Sequence, residues 1–197
     1  CKCHGYNFSQ GKAIEIHTHA QELIAMLPKD ILTKTIIRQA IDALNAISAS
    51  LERLKAEMRT LSAQLPEYPV VMAMRGVGDS LGPQLMAELG DVTQFTHRNA
   101  ITAFAGVDPG ADQSGTYEAK STRVSKSGPP ELRKALFLVM DCLLKTQPEN
   151  DPVYRFMAKK RAEGKPYLVY MTAGANKFLR IYYGRVKEYL TSLENAD

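Results

Sequence analysis

The sequence has 197 residues, of which 45% are apolar and 23% are charged, and its formal net charge at pH 7 is +4. A chain of this length and composition can bury a real core, which excludes disorder as its main state. It has neither a signal-peptide pattern at its start nor an apolar run of the roughly eighteen residues that a membrane span needs, so we expect a cytoplasmic protein with no membrane partner.

The first residues offer a possible but unconvincing metal site. The sequence begins with Cys rather than Met, so we expect it to be a piece of a longer protein. Cys1, Cys3 and His4, with His17 and His19, carry donor atoms that zinc binds, but their spacing matches no established ligand pattern. We therefore predict no metal site in this sequence.

Two helices are predicted in the N-terminal third. Ala13 to Leu27 is amphipathic and ends near Pro28. From Ile37 to Leu65 the apolar residues alternate spacings of three and four, which over roughly four heptads predicts a coiled coil. We expect this helix to form a homodimer or a higher oligomer. The alternative is a long core helix that packs along the rest of the chain.

A linker marked by Pro66 and Pro69 ends the coil, so we predict an N-terminal coiled-coil segment over 1–68 and a C-terminal domain over 69–197. That domain opens with Gly76-Val77-Gly78, followed by a helix over Leu81–Leu89 with Gly90 as its C-cap, an order typical of a helix-hairpin-helix. Two glycines permit a tight turn whose backbone N–H groups approach a phosphate and hold DNA without reading bases. The alternative is a packing turn.

The rest of the domain is predicted to be helical around one long loop. Thr96 is expected to cap a short helix that ends at Ala105. The 23 residues from 106 to 128 are rich in Gly, Pro, Asp, Ser and Thr, and a small hairpin over 117–124 is compatible with them. Loops of this length inside a compact domain are usually functional or disordered.

Three more helices are predicted at Glu131–Lys145, Pro152–Ala162 and Tyr167–Leu193. We therefore predict an all-α fold, a coiled-coil helix followed by a helix-hairpin-helix-containing helical domain with a long irregular loop. The aromatic residues of the last helix recur at helical spacing, so we expect most of them to lie in the core.

The charge is distributed unevenly along the chain. Residues 119–187 contain 15 basic and five acidic side chains, whereas residues 71–118 contain two basic and six acidic ones. A basic block of this kind indicates a polyanionic partner, because cations that neutralise phosphates release condensed counterions. A solvated basic surface is the alternative.

Four motifs lie in and after the long loop, in this order: Gly106-Val107-Asp108-Pro109, Gln113-Ser114-Gly115, Arg123-Val124-Ser125-Lys126-Ser127-Gly128 and Leu132-Arg133-Lys134-Ala135-Leu136. Together with the preceding Gly-Val-Gly they closely resemble the C-terminal domain of the insertion-sequence one-ten family of transposases, over residues 70–187. The resemblance implies a prokaryotic, nucleoid-associated DNA transposase whose nucleophile is the serine of the Ser-Gly pair, here Ser114.

The resemblance also implies partners and a missing domain. Members of the family form a covalent DNA intermediate, use an RNA encoded by the element to choose their DNA, and carry an N-terminal resolvase-like domain with four metal-binding acids. Because no such domain precedes the coil, we expect no cofactor in this piece, Mg²⁺ in the missing domain, and no activity of the piece alone.

The loop offers other residues for the chemistry. Ser121, Ser125 and Ser127 are rival nucleophiles, which we interpret as phosphate contacts. Asp112 and Glu118 are the nearby carboxylates that would take the serine proton, and the alternative is a base from the missing domain.

Fixed cations are also expected, because phosphoryl transfer spreads negative charge over the equatorial oxygens. Arg123, Lys126 and Arg133 are nearest to Ser114, and a second basic cluster runs from Arg155 through Lys187. The predicted nucleic-acid-binding residues are Gly76, Gly78, Arg123, Ser125, Lys126, Arg133, Lys134, Lys159, Lys160 and Arg161. Two other functions stay open: a non-catalytic nucleic-acid-binding module, and a scaffold whose coiled coil is its whole function.

Overall fold

The computed structural model describes residues 10–27, 30–108 and 124–195 in full, and residues 2–3, 6–7, 113–114 and 117–118 by their backbone. Helices make up most of the described chain, so the predicted all-α fold is confirmed. The chain divides into two compact units, residues 1–53 and 54–197. This division falls within a long helix, and the domain boundary at residue 68 stays a prediction.

The N-terminal unit contains helix α1, Gln10–Met26, and the first part of helix α2, Ile31–Ser62. Two short strands, β1 at Lys2–Cys3 and β2 at Tyr6–Asn7, pair antiparallel. Helix α1 buries no residue, and the apolar seam of α2 is exposed, as at Leu44, Ile47 and Leu61. The coiled coil and the oligomer that it would form stay predictions.

The helices of the C-terminal unit are α3 at Tyr68–Met72, α4 at Leu81–Leu89, a short 3-10 helix at Val92–Gln94, α5 at Arg98–Phe104, α6 at Pro130–Thr146, α7 at Pro152–Ala162 and α8 at Tyr167–Glu194. Strands β3, Gln113–Ser114, and β4, Tyr117–Glu118, pair antiparallel with Ser114 opposite Tyr117. This pair begins earlier in the chain than the hairpin predicted over 117–124.

Two predicted helix ends have different outcomes. Gly90 is the C-cap of α4, as predicted; it has a positive φ of 62°, and its N–H donates to the carbonyl oxygen of Met86. The cap predicted at Thr96 was wrong, because α5 is capped by His97. The extended backbone of His97 places its Nδ1 atom 3.2 Å from the backbone nitrogens of Asn99 and Ala100, so an imidazole nitrogen takes the acceptor role that a hydroxyl usually has.

Helix α8 forms the centre of the core, with contacts to α3, α5, α6 and α7. Its buried residues recur every three or four positions, so one face of the helix packs in the core. A Cβ atom on Gly174 would lie 2.5 Å from Met157 Sδ and 2.9 Å from Met140 Sδ, so this glycine lets α7 and α6 approach α8 closely. Tyr182 and Tyr183 are buried, which confirms the prediction that the aromatic residues of this helix mostly belong to the core.

None of the described helices is both long and apolar enough to span a membrane. Within the described residues, no three His, Cys, Asp or Glu side chains are grouped so as to hold a metal ion. The side chains of Cys1, Cys3 and His4 lie outside that part of the chain.

Candidate functional site

Residues 106–128, which we call the serine loop, are closed at their base by two glycines. Gly106 has a positive φ of 62°, and a Cβ atom there would lie 2.7 Å from the backbone nitrogen of Gly128. A Cβ atom on Gly128 would overlap the carbonyl oxygen of Phe104. The backbone segments cross here without room for a side chain, so only glycine fits. The loop therefore leaves and re-enters the domain at one point.

Hydrogen bonds reinforce this closure. The backbone nitrogen of Ser125 donates to the carbonyl oxygen of Asp108 over 3.1 Å, and that of Lys126 donates to the carbonyl oxygen of Gly106 over 3.2 Å. Ser125 Oγ also donates to Asp108 Oδ1 over 2.8 Å and lies 3.2 Å from Ser127 Oγ. Both serines thus take part in closing the loop, and their contact with phosphate stays a prediction.

Three of the predicted cations surround the point of closure. Lys126 has a positive φ of 53°, which is uncommon for a residue other than glycine. Arg133 donates to the carbonyl oxygen of Gly128, and Lys134 Nζ lies 3.9 Å from Glu131 Oε2 in an exposed ion pair. All three cations line a small cavity of about 180 Å³, so the structure brings them together, and their contact with nucleic acid stays a prediction.

A larger open groove of about 1070 Å³ adjoins this cavity, and we call it the basic groove. The two share lining residues from the base of the serine loop, Val107, Val124 and Lys126. The basic groove is also lined by α5, α7 and α8, and its cations are Arg98, Lys126, Lys177 and Arg180. Among the residues that the structure describes, no Asp or Glu lines this groove, so its described lining attracts anions such as phosphates.

Ser114 itself is placed only by its backbone, in strand β3. Its side chain lies outside the described part of the chain, as do Arg123, Asp112 and Ser121. Glu118 is likewise described only by its backbone, in β4. The position of the Ser114 hydroxyl relative to the groove, and its proton acceptor, therefore stay predictions.

The two glycines of the predicted hairpin differ in their surroundings. Gly76 has a positive φ of 80°, and a Cβ atom there would lie 3.0 Å from both Leu143 Cγ and the carbonyl oxygen of Val139 on α6. Gly78 has open space around its Cα atom. Packing against α6 thus explains Gly76, whereas a Cβ atom on Gly78 would meet no described atom within 4 Å. The phosphate contacts predicted for both glycines stay predictions.

The basic cluster on α7 lies in the last turn of that helix. Lys160 Nζ donates to Glu163 Oε2 over 2.8 Å, and this hydrogen bond lowers the pKa of Glu163. Lys159 and Arg161 are exposed. Cations are favourable at a helix C-terminus whatever they bind, so the contact of these three residues with nucleic acid stays a prediction.

Sequence reasoning missed Arg98 and treated Lys177 and Arg180 only as members of a wide basic block. Arg98 is the first residue of α5, where the helix dipole disfavours a cation. Helix stability therefore does not explain an arginine at this position.

Comparison with known proteins gives two related findings. Residues 68–155 match the family model of the transposase IS116/IS110/IS902 family. The pilin gene-inverting protein of Moraxella bovis is 27% identical over 113 residues, which is 57% of this chain and 34% of that protein, and the pilin gene-inverting protein of Moraxella lacunata gives the same values. The chain thus spans about a third of the length of these curated relatives. The family match includes the serine loop and ends before Lys159.

Proposed function

We propose that this chain is the DNA-joining part of a transposase, in which Ser114 cleaves and rejoins a DNA strand. The similarity of residues 68–155 to a transposase family, and to proteins named for inverting a gene, supports DNA recombination. The observation that carries the proposal is the basic groove, whose described lining residues include four cations and no carboxylate and belong in part to the base of the loop that contains Ser114.

The chemistry follows from the nucleophile. Ser114 Oγ attacks the phosphorus atom of a phosphodiester, and the bond from phosphorus to the departing sugar oxygen breaks. The serine proton passes to a base, and the departing oxygen gains a proton. The phosphoserine ester retains the energy of the broken bond, so rejoining by a strand hydroxyl reverses the step without an external energy source. Cations fixed nearby stabilise the negative charge of the transition state.

Ser125 is the rival nucleophile that the experiment has to exclude. Its hydroxyl already donates to Asp108 Oδ1, an arrangement that resembles an activated hydroxyl beside a base. We assign this bond to loop closure, because the backbone of Ser125 also donates to Asp108 and the two residues lie at opposite ends of the loop.

Covalent capture tests the assignment. The complete encoded protein would be incubated with donor DNA, target DNA and the RNA of its element, and protein–DNA adducts would be separated by denaturing electrophoresis. We expect Ser114→Ala to abolish the adduct while DNA binding persists, and the control variants Ser125→Ala and Ser127→Ala to retain it. An adduct in Ser114→Ala that disappears in Ser125→Ala would assign the nucleophile to Ser125.

The same assay separates the non-catalytic alternative. DNA binding by the wild type without any adduct would favour a nucleic-acid-binding module. The guide RNA, Mg²⁺ in a further domain and oligomerisation through α2 remain predictions that accompany the proposal.

A further inference from the structure

The floor of the basic groove is apolar and open to solvent. Leu168 is 65% exposed and Val169 is 49% exposed at the start of α8, and both line the groove with Phe156. A surface that binds only phosphates has no use for exposed apolar side chains. Clustered apolar groups that stay exposed usually mark a binding site. The groove therefore fits a ligand that has both negative charges and flat apolar groups.

We propose that the basic groove binds an unpaired DNA strand, with phosphates on Arg98, Lys126 and Arg180 and with bases on Leu168 and Val169. The choice of DNA rests on the proposed function. In a duplex the base faces are covered by stacking, so a protein meets phosphates, sugars and base edges. An unpaired strand also presents its base faces, and contact with them stabilises single-strand complexes.

The cations of the groove are arranged to remain available. Lys177 Nζ lies 4.7 Å from the centroid of the Phe156 ring, a cation–π contact that holds this lysine at the groove wall. Arg98 and Arg180 are exposed, and neither forms an ion pair with any residue that the structure describes. Within the described part of the chain, no ion pair has to break before either guanidinium group binds a phosphate.

Strand exchange produces an unpaired DNA end that such a groove would bind. Once a strand is cleaved, its released end has to leave its complement before it can join a new partner. A groove that shares its wall with the base of the serine loop would hold this unpaired end beside the segment from which the proposed nucleophile extends. The released end would then rejoin more readily than it would diffuse away.

Equilibrium binding to the 197-residue chain tests the inference. Three labelled oligonucleotides of one sequence, single-stranded DNA, duplex DNA and single-stranded RNA, would be titrated by fluorescence anisotropy at several salt concentrations. Leu168→Ser removes apolar floor, and its matched control is Leu138→Ser, an exposed leucine of α6 outside the groove. All variants would first be compared by thermal unfolding.

A second pair of variants tests the charges. Arg98→Gln with Arg180→Gln removes two groove cations, and Arg155→Gln with Arg185→Gln removes two exposed cations outside the groove. The total charge of the two double variants is the same. Any difference between them therefore reports the position of the cations.

We expect Leu168→Ser to weaken single-stranded DNA binding about threefold to tenfold and to leave duplex binding unchanged. For single strands, the slope of log K against log salt is negative, and the groove double variant should make it less steep by about 1.4, since each phosphate contact contributes about −0.7; the control should change it less. Equal effects of Leu168→Ser and Leu138→Ser, or equal losses for the duplex, would overturn the proposal. Tighter binding of RNA than of DNA would also overturn it.

The covalent-capture experiment does not decide this inference. If the groove variants lose single-stranded DNA binding as expected while no adduct forms with the wild type, the groove assignment holds and the proposed function fails. If an adduct forms that depends on Ser114 while the groove variants bind like their controls, the proposed function holds and the groove assignment fails.

Discussion

Two adjacent tyrosines of α8 predict opposite effects of the same substitution. The Tyr182 side chain is completely buried, and its hydroxyl has no hydrogen-bond partner among the described residues. The Tyr183 hydroxyl donates to the carbonyl oxygen of Phe95 over 3.1 Å and accepts a hydrogen bond from Lys187 Nζ over 3.0 Å. We predict that Tyr182→Phe stabilises the protein and that Tyr183→Phe destabilises it.

The magnitudes follow from the hydroxyl groups alone, because Phe keeps the ring of Tyr. A buried hydroxyl without a partner costs roughly 1–3 kcal/mol, so its removal should raise the free energy of unfolding by about 1 kcal/mol. Removing the Tyr183 hydroxyl loses both of its hydrogen bonds and takes away the donor to the carbonyl oxygen of Phe95, which should lower the free energy of unfolding by about 1–2 kcal/mol. For a chain of this size, each 1 kcal/mol shifts Tm by about 2–4 °C.

Thermal and urea unfolding of the full chain, followed by circular dichroism, would measure both variants. Each tyrosine variant is the control for the other, since both change the same atom on the same helix. If Tyr182→Phe destabilised the protein by as much as Tyr183→Phe, the Tyr182 hydroxyl would have a partner, such as a buried water, and our reasoning would be refuted.

The dependence of stability on pH gives a second test of the burial of the Tyr182 hydroxyl. Burial, with the negative charge of Glu67, raises the pKa of Tyr182 in the folded state. The unfolded tyrosine ionises near pH 10, so this contribution to stability is full below about pH 10 and is lost as the pH rises further. The loss approaches about 1.4 kcal/mol per pH unit, and it should be absent in Tyr182→Phe. Equal alkaline slopes in the wild type and the variant would contradict the prediction.

Two glycine pairs test the loop base and the predicted hairpin. Gly128→Ala should destabilise the protein by about 3 kcal/mol or more, because the new methyl group overlaps the backbone of Phe104. Its control, Gly184→Ala, lies in open space on α8 and should stabilise the protein by about 0.5–1 kcal/mol in the same urea titration. Gly76→Ala should cost about 1–3 kcal/mol because φ is positive there, and Gly78→Ala should leave stability nearly unchanged. If Gly78 holds a phosphate, Gly78→Ala should weaken duplex binding measured by anisotropy, and unchanged binding would remove Gly78 from the interface. For the loop base, unchanged stability of Gly128→Ala would disprove the close approach of the two backbone segments.

The sequence alone predicts those helix ends that are determined by residues at the ends themselves. Helix α7 begins and ends where it was predicted, because Pro152 occupies its first turn and Asp151 caps it through the backbone nitrogens of Val153 and Tyr154. The C-cap of α4 was predicted for the same reason, because Gly90 itself takes the positive φ at the helix end. The cap of α5 was not predictable in the same way, because His97 seldom takes this role and Thr96 offered the usual hydroxyl.

The candidate site was predicted only in part, because packing creates it. Lys126, Arg133 and Lys134 are close in sequence, and their grouping followed from a motif. Arg98 joins Arg180 only through the packing of α5 on α8, which no local pattern reports. Similarly, nothing in the sequence distinguishes Tyr182 from Tyr183, since the difference lies in the carbonyl oxygen of Phe95 that one hydroxyl reaches and the other does not.

The crossing of Gly106 and Gly128 has a consequence for how such a domain can change over evolutionary time. Because the serine loop leaves and returns at one point, its interior can be lengthened, shortened or exchanged while the helices around it keep their places. Doubling the length of a loop costs only about 0.6 kcal/mol in closure entropy. The two glycines thus let the sequence inside the loop vary while the helical core stays the same.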